Sequence, residues 1–356
     1  MTQADAREGT ARNGAADAVP ASDNTTRRPL TVLTSNWVFL ALIVLVVFFA
    51  IKAGTTFFAA DNFRNIVFNA SGTMLLAVGT SFLIIGGRLD LSIGSVLVFS
   101  EVVGAKLIVN VAGTPDGSGA SPHPILGIVV GIAVAIGCGT AWGVLNGLLV
   151  TLLRIPSFIV TLGSLGMALG LAQVITKGTD VTGVPPQMAA DLGFKQVLGL
   201  PLPVWIAIAI ALVAGLVLAK TGFGRRTYAI GSNSEAARRS GIKVKRHVVI
   251  LFAVMGALAG LAGALDVARF TTTSVSGHSS DNLVAIAAVI IGGASLFGGR
   301  GTIFGATIGV LIPAVLNNGL VIINVQPFWQ TAAIGAILIV AVTFDNIKRS
   351  QQMRAP

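Results

Sequence analysis

Charge is scarce in this chain: 11% of its 356 residues are Asp, Glu, Lys or Arg, against roughly a quarter in soluble domains. With 54% of residues apolar, that scarcity excludes an ordinary water-soluble enzyme and leaves a helical protein that crosses a membrane several times. One cysteine, Cys138, lies inside an apolar run, so neither an internal disulfide nor a thiolate metal cluster can form. A small packing residue is the role it suits. No Gly-Lys dipeptide occurs, which excludes a Walker A phosphate loop. If ATP drives this protein, another subunit binds it. The three histidines, His123, His247 and His278, fall in stretches expected to be loops. No Ser, His, Asp set and no metal-ligand spacing is evident, so no catalytic constellation is expected.

What charge there is clusters. Lys220 to His247 carries eight Lys and Arg residues and a single acid, Glu235, between uncharged runs at Gln196 to Ala219 and Val248 to Leu265. By the positive-inside rule this segment, 220–247, is a cytoplasmic loop. Within it, SNSEAARRSGI predicts a short capped helix: Ser232 or Asn233 caps, Glu235 suits the first turn, and Gly241 stands where a C-cap belongs. A small helix held between two spans is suited to being presented to a partner. The net charge of +10 does not point to nucleic acid, because the basic residues lie beside hydrophobic spans without an aromatic-basic surface motif. Topology and contact with membrane lipid account for it.

Taken in order, residues 1–29 are polar and aperiodic and are expected to form a disordered tail. Uncharged runs then follow at Leu30 to Ile51, Asn65 to Gly87, Ile125 to Leu153 and Ile155 to Thr176, besides the two flanking the basic loop. A further span, Ser92 to Asn110, contains Glu101 and Lys106. Asn282 to Gly299 forms an eighth, and Gly301 to Phe344 is long enough for two helices broken near Asn324 to Pro327. The expectation is an all-α polytopic membrane protein of about ten spans, its membrane domain covering 30–345 and a second tail 346–356. With both termini cytoplasmic, 18 of the 24 Lys and Arg residues fall inside.

The halves echo each other. IIGG at Ile84 to Gly87 recurs at Ile290 to Gly293, VLNG at Val144 to Gly147 recurs as VLNN at Val315 to Asn318, and PSF at Pro156 to Phe158 is answered by PFW at Pro327 to Trp329. Repeated halves with glycine-interrupted helices are a transporter architecture. IIGGRLDLSIGS (84–95) describes a broken helix or re-entrant turn with Gly86 and Gly87 at the break and Asp90 or Ser92 as the next cap. Gly292, Gly293, Gly298 and Gly299 play the same part in the second half.

Candidate residues of a solute path are Asp90 and Ser92, the amides Asn146, Asn317 and Asn318, which can bind hydroxyls or bridge helices, and the flat faces of Phe158, Phe328 and Trp329. Glu101 and Lys106, five apart, are the ionisable pair on which an ion-coupled symporter would rest. Asp266 and Arg269, three apart, are expected to pair near a span end. A membrane scaffold that holds a soluble partner by the basic loop, with no solute path, is the remaining alternative.

Four blocks, GGRLDLSIGS (86–95), VLNGLLVTLLRIPSFIVTLGSLGMALGLAQVITKG (144–178), TGFGRRTYAIGSNSEAARRSGIKVKR (221–246) and AIAAVIIGGASLFGGRGTIFGATIGVLIPAVLNNGL (285–320), resemble the permease subunits of bacterial ATP-binding-cassette importers for ribose, xylose and related monosaccharides. The resemblance implies an inner-membrane homodimer served by two cytoplasmic ATPase domains and by a periplasmic or lipid-tethered sugar-binding protein. It implies no cofactor in this chain, ATP and Mg being bound by the ATPase. It also implies that Glu235, Ala236, Ala237, Arg238 and Gly241 belong to a coupling helix docked on the ATPase. The chain departs from the family at Val284, where relatives often carry Asp, and at Glu101 and Lys106, in a span that is usually neutral.

Overall fold

The computed structural model describes residues 37–114 and 121–326 and scattered positions from 328 to 343. The two expected tails, the start of the first span and about half of the tenth lie outside the described residues. The rest is mainly helical. The helices are α1 (Trp37–Ala53), α2 (Ala60–Ile85), α3 (Ile93–Ala112), α4 (Pro124–Leu152), α5 (Ser157–Thr176) and α6 (Leu202–Lys220). They are followed by α7 (Gly222–Ser232), α8 (Ser234–Arg239), α9 (Val244–Phe270), α10 (Asp281–Ile291) and α11 (Ile303–Ile322). Eight of the described helices are long and apolar enough to cross a membrane. The protein is an all-α polytopic membrane protein.

Two expected spans are shortened. The run at Gln196 to Ala219 opens as a two-residue hairpin in which Gln196 pairs Pro201, and the helix begins only at Leu202, with Pro203 in its first turn. The run at Asn282 to Gly299 holds an 11-residue helix, α10, which at 1.5 Å per residue extends only about 16 Å. Gly292 and Gly293 end it, and the remaining residues form a loop. The break at Asn324 is where the sequence puts it, with Asn324 itself at φ 58°.

Helix α9 is the centre of the bundle, packing on α4 most extensively and also on α2 and α3. Its seam with α4 is made by glycine. A Cβ on Gly139 would strike the backbone of Gly256, one on Gly143 that of Phe252, and one on Gly260 that of Ala135. Gly139 and Gly143 on α4, and Gly256 and Gly260 on α9, are each four apart, so both helices present a small-residue ridge and their backbones touch. Helix α1 buries little and exposes Phe39, Leu40, Ile43, Val44, Val47 and Ile51, as a lipid-facing helix would.

His247 is not in a loop: it lies in the first turn of α9, buried, with its Nε2 2.8 Å from Thr227 Oγ1 of α7. Asp266 and Arg269 do not pair either. Asp266 turns to His278, while the Arg269 guanidinium lies 4.3 Å over the Phe68 ring.

Candidate functional site

The basic segment folds by local rules. Thr221 caps α7, and Asn233 caps α8, its Oδ1 accepting from the N–H groups of Glu235 and Ala236 at 3.1 and 2.9 Å. Asn233, not Ser232, is the cap; Ser232 is the last residue of α7. At the far end the Gly241 N–H reaches Arg238 O and the Ile242 N–H reaches Ala237 O, with Gly241 at φ 84°. That is a Schellman stop with glycine at the left-handed position. Glu235 accepts from Arg238 at 2.7 and 3.0 Å and from Arg239 at 3.2 Å. The hydrogen bonds from Arg238 and then Arg239 hold its pKa below the ordinary carboxylate value. All three side chains are more than half exposed, whereas Ala237 is buried. Beside α8 a cleft of about 710 Å³ is lined by Arg226, Lys243, Arg246 and the buried His247.

The two glycine breaks share one hydrogen-bond pattern. In the first, Gly87 N–H donates to Ile84 O and Arg88 N–H to Leu83 O; in the second, Gly293 N–H donates to Ile290 O and Ala294 N–H to Val289 O. Gly87 and Gly293 sit at φ 71° and 92°. The IIGG echo is thus the same helix stop used twice. The breaks also meet: Gly299 N–H donates to Ile85 O at 2.8 Å, and a Cβ on Gly298 would contact Gly87 Cα. Gly231 of α7 lies against both, since a Cβ there would strike Ile85 O and Gly299 N. Tyr228, one turn earlier on α7, donates to Gly301 O at 2.7 Å. The segment that carries α8 is therefore seated on both broken helices.

The candidate path residues divide into three groups. Asp90, Ser92 and Asn146 form a buried network: Asp90 Oδ1 accepts from the Ser92 N–H at 2.8 Å and from its hydroxyl at 2.6 Å, and Asn146 Nδ2 donates to Ser92 Oγ at 3.0 Å. Ser92 stands at the N-cap of α3 without a side-chain capping bond, because its hydroxyl is committed to these two partners. Asn317 and Asn318 line a cavity of about 300 Å³ between α2, α10 and α11, in which Asn69, Thr73 and Gln330 join them. The side-chain oxygens of Asn317 and Asn318 are buried without a hydrogen-bond partner. Phe158, Phe328 and Trp329 are exposed and do not line this cavity. Asn69 and Thr73 were legible in the sequence as polar residues four apart, on one face of a span. Val284, the departure from the family, lies on the same wall.

Glu101 and Lys106 are separated. Five residues turn a helix by about 140° beyond one full turn, and Lys106 is exposed at a second cleft with Asp180, while Glu101 is fully buried. The partners of Glu101 come from elsewhere: its Oε1 accepts from the Ser274 N–H at 2.9 Å and its Oε2 lies 3.8 Å from His278 Nε2.

The exposed capped helix, the paired breaks and the amide-lined cavity are features of a transport subunit. The chain belongs to the permease family described as branched-chain amino acid transport system / permease component, whose model matches residues 62–342. Within it, the chain is 38% identical to the ribose import permease protein RbsC of Bacillus subtilis over 87% of this chain and 92% of that one. It is 34% identical to the D-allose transport system permease protein AlsC of Escherichia coli, over 87% and 90% of the two chains. To the xylose transport system permease protein XylH of Haemophilus influenzae it is 32% identical, over 88% and 96%. No solved structure is a significant match. The chain is thus placed among the permeases of bacterial monosaccharide importers.

Proposed function

We propose that this chain is the inner-membrane permease subunit of an ATP-binding-cassette importer that passes an unmodified pentose or hexose, of the ribose or xylose kind, into the cytoplasm. A separate ATPase binds ATP and Mg, a sugar-binding protein delivers the substrate, and a second permease copy completes the path. Both termini and the basic segment face the cytoplasm. The observation that carries this reading is Gly231: the segment bearing α8 touches both helix breaks at once. A push or pull on α8 by an ATPase is then delivered to both halves together, biasing the equilibrium between outward-open and inward-open states. Glu235, Ala236, Ala237, Arg238 and Gly241 are the docking residues.

The family's description refers to amino acids and the relatives' names to sugars. The amide-lined cavity favours sugars, since Asn69, Asn317, Asn318 and Gln330 offer donors and acceptors to hydroxyls and no fixed charge lies among its described lining residues. Its volume of about 300 Å³ is at the small end of ligand pockets, about 300–1,000 Å³. The symporter alternative loses its pair, because Glu101 and Lys106 face different surroundings.

The test is purification from the native membrane in mild detergent, followed by reconstitution of the complex with the sugar-binding protein. A stoichiometric ATPase and ATP-dependent pentose or hexose uptake are expected, with uptake reduced by Asn317→Leu or Asn318→Leu. Uptake that survives loss of the ATPase but collapses with the proton gradient overturns the assignment.

A further inference from the structure

At the end of α9 opposite the basic segment, three side chains from distant parts of the chain converge. One ligand atom each of Glu101 on α3, Asp266 on α9 and His278 on the connection to α10 lies within 4.8 Å of the other two. The His278 Nε2 is 3.3 Å from Asp266 Oδ2 and 3.8 Å from Glu101 Oε2. Asp281 Oδ2 sits 2.8 Å from His278 Nδ1. Asp281 thereby fixes the imidazole with Nε2 turned toward the two carboxylates, the arrangement in which an outer carboxylate orients a histidine ligand.

With the carboxylates ionised, hydrogen bonding among these groups does not close. A histidine has two N–H donors at most; Asp281 takes one and Asp266 the other, and Ser274 serves only Oε1 of Glu101. Glu101 Oε2 is left fully buried, without a hydrogen-bond partner and facing the other two ligand atoms. With Glu101 ionised, three carboxylates face at most the one positive charge of a protonated His278; a protonated Glu101 is the metal-free alternative, which the titration below distinguishes. A divalent cation supplies both the missing partner and the missing charge.

We propose that Glu101, Asp266 and His278 form a binding site for a divalent metal ion of the zinc class, with Asp281 as the outer-shell carboxylate. Bonds of about 2.0–2.1 Å in tetrahedral geometry put ligand atoms about 3.3–3.4 Å apart, so the two separations from His278 Nε2, 3.3 and 3.8 Å, need little change, and the two carboxylates, within 4.8 Å of each other, would draw together around the ion. Three protein ligands leave a fourth position for water, and the mixed imidazole and carboxylate set suits zinc, with cobalt and manganese as substitutes. Asp266 and His278 keep 19% and 15% of their side chains exposed, which leaves the ion a route of entry. The ion would tie α3 and α9 to the connection 271–280, whose backbone is already held by Glu101, Asp180 and Val181.

The test uses tag-free, full-length permease in detergent, stripped with chelator and titrated with zinc chloride, or with cobalt for its visible spectrum. One ion per chain is expected, with cobalt bands of a four-coordinate nitrogen and oxygen site and a raised thermal midpoint. Glu101→Gln and His278→Gln should weaken zinc binding at least 100-fold. Asp281→Asn, which keeps all three ligands and should fold, should weaken it roughly 10- to 100-fold. His123→Ala should change nothing. Zinc bound no more tightly by the wild type than by Glu101→Gln and His278→Gln overturns the proposal, as does a stripped protein that takes up no ion; either result leaves the three side chains as a hydrogen-bonded cluster that holds no metal.

Discussion

The two ends of α9 carry the molecule's charge in opposite ways. At the Val244 end the basic segment keeps its charges in water and builds its structure locally: Glu235 meets Arg238 and Arg239 within four residues, and Asn233 and Gly241 close α8 at either side. At the Phe270 end the charges are buried and their partners come from remote sequence, Glu101 with Ser274 and His278. Exposed ion pairs contribute little to stability because water and salt screen them. Removing one member of a buried set leaves the others in low dielectric without compensation. The first end is therefore free to be docked and moved, while the second is built to hold still.

The comparison is broken most sharply at His278. His278→Ala leaves Glu101, Asp266 and Asp281 facing one another, and by the cost of orphaning buried charges it should destabilise the protein by about 3–5 kcal/mol. The thermal aggregation midpoint in detergent reads this directly. A loss no larger than that of a surface substitution would mean the buried end is not held electrostatically. Next is Gly231→Ala. The added methyl meets the backbone at Ile85 and Gly299 rather than a movable side chain, so about 1–3 kcal/mol of overpacking is expected, together with loss of ATP-dependent uptake. Normal uptake would detach α7 from the coupling route. Gly241→Ala is milder. Nothing lies within 4 Å of the new Cβ, leaving only the left-handed backbone, about 1–2 kcal/mol. Uptake should fall with bilayer insertion unchanged, and an unaltered rate of uptake counts against α8 as the docking helix.

The same contrast explains what the sequence disclosed. Helix stops, caps and spans are local, so IIGG, SNSEAARRSGI and most apolar runs predicted their structures. α10 was overestimated because Asn282 to Gly299 stays apolar past Ile291, and hydropathy does not register that Gly293, Gly298 and Gly299 sit at positive φ. The candidate site was legible only in part. Asn317 and Asn318 stood out as amides in an apolar run, but their meeting with Asn69 and Thr73 depends on how α2 packs on α11. That Glu101 and Lys106 lie apart follows from their five-residue spacing, but what Glu101 meets instead does not. Spacing along one helix says which side chains share a face, but α9 and the connection after it decided what Glu101 would touch.

The smallest structural effect belongs to Glu235, where the comparison can be sharpened. Glu235→Gln removes the charge that Arg238 and Arg239 share, but Asn233 and Gly241 still cap α8 and Ala237 still packs inward. Both guanidiniums remain exposed to water, so the thermal midpoint should not change. Docking is a different matter, because α8 would then show two unpaired cations, and Glu235→Lys would show three. If the partner reads this helix, ATPase recovered with the permease should fall in the order wild type, Glu235→Gln, Glu235→Lys, at constant midpoint. Equal recovery across the series would show that the ATPase reads the shape of α8 rather than its charge, and would shift the docking surface toward the cleft lined by Arg226, Lys243 and Arg246.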